Sequence, residues 1–247
     1  MKKIVVANWK MNPDTVSVAK NNYNSIKRNT KKYRKVETVI APPFVFLNSF
    51  SGGLKMAAQD VFWQKSGSFT GEVSVNQLAH LKVSYCIVGH SERRELGESD
   101  IDVNMKVRAL ISVGITPIIC VGEKDRDSNG EYLSIIKNQI KDALVSIKQK
   151  DLSKIIIAYE PIWAIGKKDS IGTRSLHEMS IYIKKVLSDL YSKRTAFKVS
   201  VLYGGSVDES NARELVKEGE VQGLLIGRAS LEPKKFTEII KEVNSIK

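Results

Sequence analysis

Eight short runs of β-branched and aliphatic residues, with amphipathic stretches between most of them, constrain the fold more than any other feature of this chain. They read KIVVANW, VETVIA, LKMAAQD, SYCIVG, ITPIICVG, KIIIAYE, KVSVLYG and VQGLLIG. Several are apolar at nearly every position, as strands are when both faces of a parallel sheet are covered. Stretches such as EYLSIIKNQIKDALVSIKQ and SLHEMSIYIKKVLSDLYS place apolar residues at three- and four-residue steps, the helical period. Eight strands alternating with helices over 247 residues fit an α/β fold, a (β/α)8 barrel that takes residues 1–247 as one domain, and no Pro/Gly/Ser-rich linker divides it. A doubly wound sheet is the rival. It would carry a glycine-rich turn after its first strand, where this chain reads NWKMNPD.

Composition narrows the function classes. Hydrophobic residues make up 42% and charged residues 27%, which is globular rather than disordered. No apolar run is long enough to span a bilayer, and the basic start MKKIVVANWK breaks at Asn8 and Lys10, too early for a signal h-region. Cys86 and Cys120 both lie in apolar strand runs, which suits two reduced core thiols and a cytoplasmic protein. The net charge of +12 raises the question of a nucleic-acid partner. The lysines, however, come as scattered pairs (Lys2–Lys3, Lys31–Lys32, Lys184–Lys185, Lys234–Lys235) with no stripe interleaved with aromatics. A solvated surface is expected, with neither nucleic acid nor membrane as a partner. His80, His90 and His177 lie far apart without metal-ligand spacing, and no nucleotide-binding loop is present, so neither metal nor cofactor is expected.

In a barrel, chemistry gathers at the C-terminal ends of the strands. Here the first strand ends in Asn8-Trp9-Lys10 and the fourth in Gly89-His90-Ser91-Glu92-Arg93-Arg94. The sixth ends in Glu160-Pro161, the seventh in Gly204-Gly205-Ser206 and the eighth in Gly227-Arg228. Each end is unremarkable alone: a strand-end lysine is usually a solvated charge, and a GGS turn usually marks only the positive φ that glycine permits. Together they would bring a lysine, an imidazole, a carboxylate and two glycine turns to one rim.

NWKMN, VGHSERRELGESD, AYEPIWAIG, YGGSV and LLIGRASL, in this order and spacing, resemble the triosephosphate isomerase family, and AQDVFWQKSGSFTGEVS resembles its dimer loop. The resemblance covers essentially the whole chain. It implies a TIM barrel and a cofactor-independent isomerase of glycolysis and gluconeogenesis. The substrate would be a small phosphorylated triose: dihydroxyacetone phosphate and glyceraldehyde 3-phosphate would interconvert through an enediolate. By similarity Glu160 is the base, His90 a neutral donor to the substrate oxygens, Lys10 a fixed positive charge, Asn8 a second donor and Glu92 a carboxylate supporting Lys10. The phosphate would sit on backbone N–H groups at Gly204, Gly205, Ser206, Gly227 and Arg228, with Gly166 added from a lid.

The same resemblance makes Pro161, Ile162, Trp163, Ala164, Ile165, Gly166, Lys167, Lys168 and Asp169 a lid that excludes water from the bound phosphosugar. Its tip departs from the family's usual Gly-Thr-Gly-Lys, and Gly227-Arg228 stands where many members have two glycines. The tip composition leads to the expectation of altered closing kinetics or of more phosphate lost to methylglyoxal, with the chemistry otherwise normal. Phe69, Thr70, Gly71 and Glu72 would reach a second subunit near its Lys10, with Met11 and Asn12 in that contact, giving a homodimer. Another phosphosugar barrel enzyme would share the glycine turns without needing Asn-x-Lys, GHSERR and YEPxW together. A non-catalytic basic interaction protein would not need Glu160, Lys10 and His90.

Overall fold

A computed structural model of the protein describes residues 2–50, 52–164 and 171–246. The chain runs β1 (Lys3–Asn8), α1 (Val16–Thr30), β2 (Val36–Ala41), β3 (Lys55–Ala58), α2 (Val75–His80), β4 (Tyr85–Val88), α3 (Ser91–Glu95), α4 (Asp100–Ser112) and β5 (Thr116–Val121). It continues with α5 (Glu131–Ala143), β6 (Ile156–Tyr159), α6 (Thr173–Leu190), α7 (Lys193–Ala196), β7 (Ser200–Tyr203), α8 (Ala212–Glu218), β8 (Gly223–Ile226) and α9 (Pro233–Asn244). Each neighbouring pair of strands is parallel, and β1 pairs with β8, so the sheet closes into a barrel.

Closure explains why the strand runs are apolar at successive positions. Alternate residues face opposite sides of a strand. Val6, Ile118, Cys120, Ile156, Ala158 and Leu202 fill the barrel interior. Their sequence neighbours Val5, Ala7, Ile119, Val121, Ile157 and Tyr159 pack outward under the helices. Both sets are buried, so neither face of these strands retains the polar alternation of a half-wet sheet.

Local sequence starts the helices where the pattern needs them. Thr15 Oγ1 accepts from Val18 N at 3.3 Å to begin α1. Ser74 with Gln77 and Ser99 with Asp102 form capping boxes on α2 and α4, each worth about 1 kcal/mol. The helical period suggested α5 as far as Gln149, but it stops at Ala143. There Asn104 Nδ2 donates to the carbonyls of Ala143 and Val145, at 3.0 and 2.9 Å, satisfying groups that would otherwise continue the helix. Ser146 then takes a left-handed backbone, φ 61°.

Candidate active site

The strand ends converge as expected on one cavity of about 710 Å³, whose walls include Asn8, Lys10, His90, Glu160, Gly205 and Arg228. Gly204, Ser206 and Gly227 line it too. Glu92 stands at its edge, bridged to Lys10.

Lys10 occupies an unusual backbone position, φ 52°, left-handed and strained for a residue with a Cβ. Side chains on either side hold it there. Lys10 N donates to Asn8 Oδ1 at 3.1 Å, and Gln59 Nε2 donates to Lys10 O at 2.9 Å. The ammonium pairs with Glu92 Oε1 at 2.6 Å. Gln59 was not singled out from sequence; only its place directly after the end of β3 hinted at it.

His90 is the N-cap of the short helix α3, and its Nδ1 accepts from Glu92 N at 3.2 Å. A nitrogen that accepts carries a lone pair, so the ring is the neutral tautomer with its proton on Nε2. That Nε2 lies 3.4 Å from Glu160 Oε1. Beneath this turn, Glu98 Oε2 accepts from Gly89 N at 3.0 Å, and Arg94 Nε donates to Gly89 O at 2.8 Å. Lys106 sits between Glu98 and Asp60, its ammonium 2.6 Å from Asp60 Oδ1. Burial pulls Lys106 down, but the two carboxylates more than offset it and leave it above the ordinary lysine value.

Glu160 follows β6 and is buried. Its backbone N–H extends the sheet to Val121 O at 2.8 Å, and its Oε2 accepts from Ser91 N at 3.4 Å. Burial, then the charge of Glu160, push the Cys120 thiol well up, so this neighbour stays protonated and unreactive.

The GGS turn carries a different physical demand from the one its composition suggested. Neither Gly204 nor Gly205 has a positive φ. What they lack is room: a Cβ on Gly204 would lie 2.7 Å from Glu160 Cγ, and one on Gly205 2.2 Å from the Tyr203 hydroxyl. Glycine is required for close approach, with Glu160 and Tyr203 as the objects approached.

The segment after β6 is anchored by residues the sequence reading missed. Glu123, fully buried after β5, accepts from Tyr159 Oη at 2.8 Å, Trp163 Nε1 at 2.8 Å and Arg126 Nε at 3.0 Å, all on Oε1. Arg126 stacks between the rings of Tyr132 and Trp163, 5.1 and 5.2 Å from their centroids. Burial and then the charge of Glu123 drive the Tyr159 hydroxyl far up, so it remains a donor. The signal available was another carboxylate at a strand end, CVGE. On the far side Ile171 N donates to Tyr203 Oη at 3.4 Å, and burial pushes that hydroxyl up to about 12. After Pro161, Ile162, Trp163 and Ala164 form a short 3₁₀ turn, and Ala164 O accepts from Ser206 Oγ at 3.0 Å. Ile165, Gly166, Lys167, Lys168 and Asp169 lie outside the described residues. Arg228 opens a short 3₁₀ turn after β8, with its side chain exposed at the cavity wall.

A family described as Triosephosphate isomerase matches residues 3–243. The chain belongs to the triosephosphate isomerase family. It is 40% identical over 249 residues to the triosephosphate isomerase of Lactiplantibacillus plantarum, covering 98% of each chain. The enzymes of the same name from Dictyoglomus thermophilum and Fusobacterium nucleatum are 36% and 38% identical. Those alignments cover 97% and 99% of this chain, and 99% and 100% of the relatives.

Proposed function

We propose that Glu160 is the base through which this chain, an aldose–ketose isomerase of its family, interconverts dihydroxyacetone phosphate and glyceraldehyde 3-phosphate in glycolysis and gluconeogenesis. The family is itself the standard example of such proton shuttling beneath a closing loop. The observation that carries the assignment is the pairing of the buried Glu160 carboxylate with an imidazole whose Nε2 holds its proton, 3.4 Å away. Glu160 takes the proton from the carbon beside the substrate carbonyl. The C–H electron pair forms the carbon–carbon double bond of an enediolate, and the carbonyl pair moves to oxygen. His90 Nε2–H donates to that oxygen, and the Lys10 ammonium holds the developing negative charge in a site with little water. Returning the carbon proton from Glu160 to the adjacent carbon, while the hydroxyl proton of the first carbon passes to the former carbonyl oxygen beside His90, completes the isomerisation.

The phosphate would be held by the Gly204-Gly205-Ser206 turn, by Gly227 and Arg228 across the cavity, and by Gly166 of the lid, with Asn8 fixing Lys10. The Arg228 side chain would add a cation beside the backbone donors. Isomerisation in deuterium oxide tests the single-base route: wild-type product should carry solvent deuterium at the carbon protonated last, while Glu160→Gln should give neither product nor label. Labelled product formed by Glu160→Gln at the wild-type rate would remove Glu160 from the role.

The second part of the proposal is a homodimer of single-domain subunits. Phe69, 43% exposed, stacks on Phe62 at 4.6 Å and lines one groove with Phe44, while Met11 is 91% exposed. Apolar groups presented this openly are what a partner subunit would cover, and Thr70-Gly71-Glu72 would reach the partner with Phe69. Sedimentation at micromolar concentration should give twice the chain mass; a monomer would refute the contact. The two buried free thiols suit the reducing cytoplasm, where we place the enzyme.

A further inference from the structure

Two of the lysine pairs that looked scattered in sequence come together in a groove on the outer wall of the barrel, which meets the active-site cavity at Lys235 and Glu209. Asn22 Nδ2 donates to Leu231 O at 3.4 Å, and Lys35 N donates to Asn244 Oδ1 at 3.1 Å. Helices α1 and α9 pack side by side. Lys234 and Lys235 lie in the first turn of α9, and Lys31, Lys32 and Arg34 follow the end of α1. These residues and Arg28 line a groove of about 880 Å³, facing only Glu209 and Glu238 as acids.

The positive charge in this groove is largely uncompensated. Lys235 pairs with Glu232 at 2.8 Å, and Glu238 is taken by Lys241 at 2.6 Å. Among the described residues, Arg28, Lys31, Lys32, Arg34 and Lys234 have no carboxylate within 4 Å. Like charges gathered along one groove repel one another, and an anion bound there would relieve that repulsion. A single phosphate would reach one end of the groove, whereas a row of phosphates would meet both groups of cations. Tyr33, with Lys32 Nζ 5.2 Å over its ring, adds a flat face at the same end.

We propose that this groove is a second anion site, one that takes a linear chain of about three phosphates, either free or as the tail of a nucleoside triphosphate. It goes beyond the isomerase reading and does not depend on it. Lys235 and Glu209 also border the active-site cavity, so the chain would lie beside the substrate's approach without occupying it.

Calorimetric titration with tripolyphosphate and with ATP tests the proposal. The active-site cavity is kept saturated with glycerol 3-phosphate, and the wild type is compared with a K31Q/K32Q/R34Q variant. These three side chains are exposed, so the variant should keep the wild-type fold by circular dichroism and the wild-type isomerase rate. Tripolyphosphate should bind the wild type one to one, weaken as salt screens the site, and bind the variant at least tenfold less tightly. Equal affinity for ATP would make the phosphate chain the recognised element; tighter ATP binding would place its base on Tyr33. Affinity unchanged in the variant, binding abolished by glycerol 3-phosphate, or preference for a single-stranded oligonucleotide at equal phosphate concentration would each overturn the proposal.

Discussion

Replacing Gly204 by alanine would test whether the position of the Glu160 carboxylate is set by space as much as by hydrogen bonds. The added Cβ would lie 2.7 Å from Glu160 Cγ and 3.2 Å from its Oε1. Ordinary carbon contacts begin near 3.4 Å, so about 0.7 Å must be found by moving one of the two. Cγ is not the free end of a flexible chain. Glu160 is buried, tied at its N–H to Val121 O and at its carboxylate to Ser91 N, with His90 alongside. Overpacking of a site of this kind costs about 1–3 kcal/mol of stability. Displacement of a reacting group by close to 1 Å costs roughly tenfold to a hundredfold in rate, about 1.4–2.7 kcal/mol in the barrier. The loss should fall on kcat, because the 204–206 turn, proposed to hold the phosphate, keeps its backbone donors. Gly227→Ala is the milder comparison: its Cβ would meet the end of the Lys10 side chain, Cε at 3.3 Å and Nζ at 3.8 Å, so its cost in stability should be smaller. A coupled assay separating kcat from KM, with thermal unfolding of both variants, makes the comparison. Wild-type kcat and Tm in Gly204→Ala would refute the spatial argument.

Three further predictions follow from single groups. Lys184 donates to the carbonyls of Ala196 and Val199 with no acid beside it, and burial lowers it to about 8 from 10.5. The unfolded chain therefore binds the extra proton between those values, so stability should rise by about 2 kcal/mol from pH 7 to 9.5, an increment that Lys184→Met removes; parallel urea-unfolding slopes for the two proteins would contradict this. Glu123→Gln keeps an oxygen acceptor but removes the charge that receives Arg126, Tyr159 and Trp163. It should cost about 2 kcal/mol and change kcat and KM together through the hinge, and an unchanged Tm would argue against that anchor. The tip Lys167-Lys168-Asp169 should give more methylglyoxal per turnover than a variant carrying the family's Gly-Thr-Gly-Lys; equal yields would end that idea.

The barrel was legible because closure buries both faces of its strands, which is why residues 118–121 and 156–158 are apolar at every position. Helix ends were harder. The period of α5 continues past Ala143, and only Asn104, 39 positions away, stops it. At the rim, residue types at strand ends pointed to Lys10, His90 and Glu160, and the fold brings these three to one cavity. Reasons were less visible than positions. The glycines of the 204–205 turn read as conformational and proved to be spatial, because the side chains they make room for arrive from β6 and β7. Glu123 went unnoticed because a lone strand-end carboxylate says nothing until Tyr159, Trp163 and Arg126 are folded onto it. The basic groove needs α1 beside α9, a contact between segments some 200 positions apart.

The most direct test of the account is the coupled conversion of glyceraldehyde 3-phosphate to dihydroxyacetone phosphate by the wild type and by Glu160→Gln. The wild type should reach a kcat/KM of about 10⁷–10⁸ M⁻¹s⁻¹, close to the diffusional range for which this family is itself a standard example, and the variant should lose roughly three powers of ten or more while remaining folded. A variant within tenfold of the wild type, or a folded wild type without activity, would contradict the assignment of Glu160 and the reading of the site built around it.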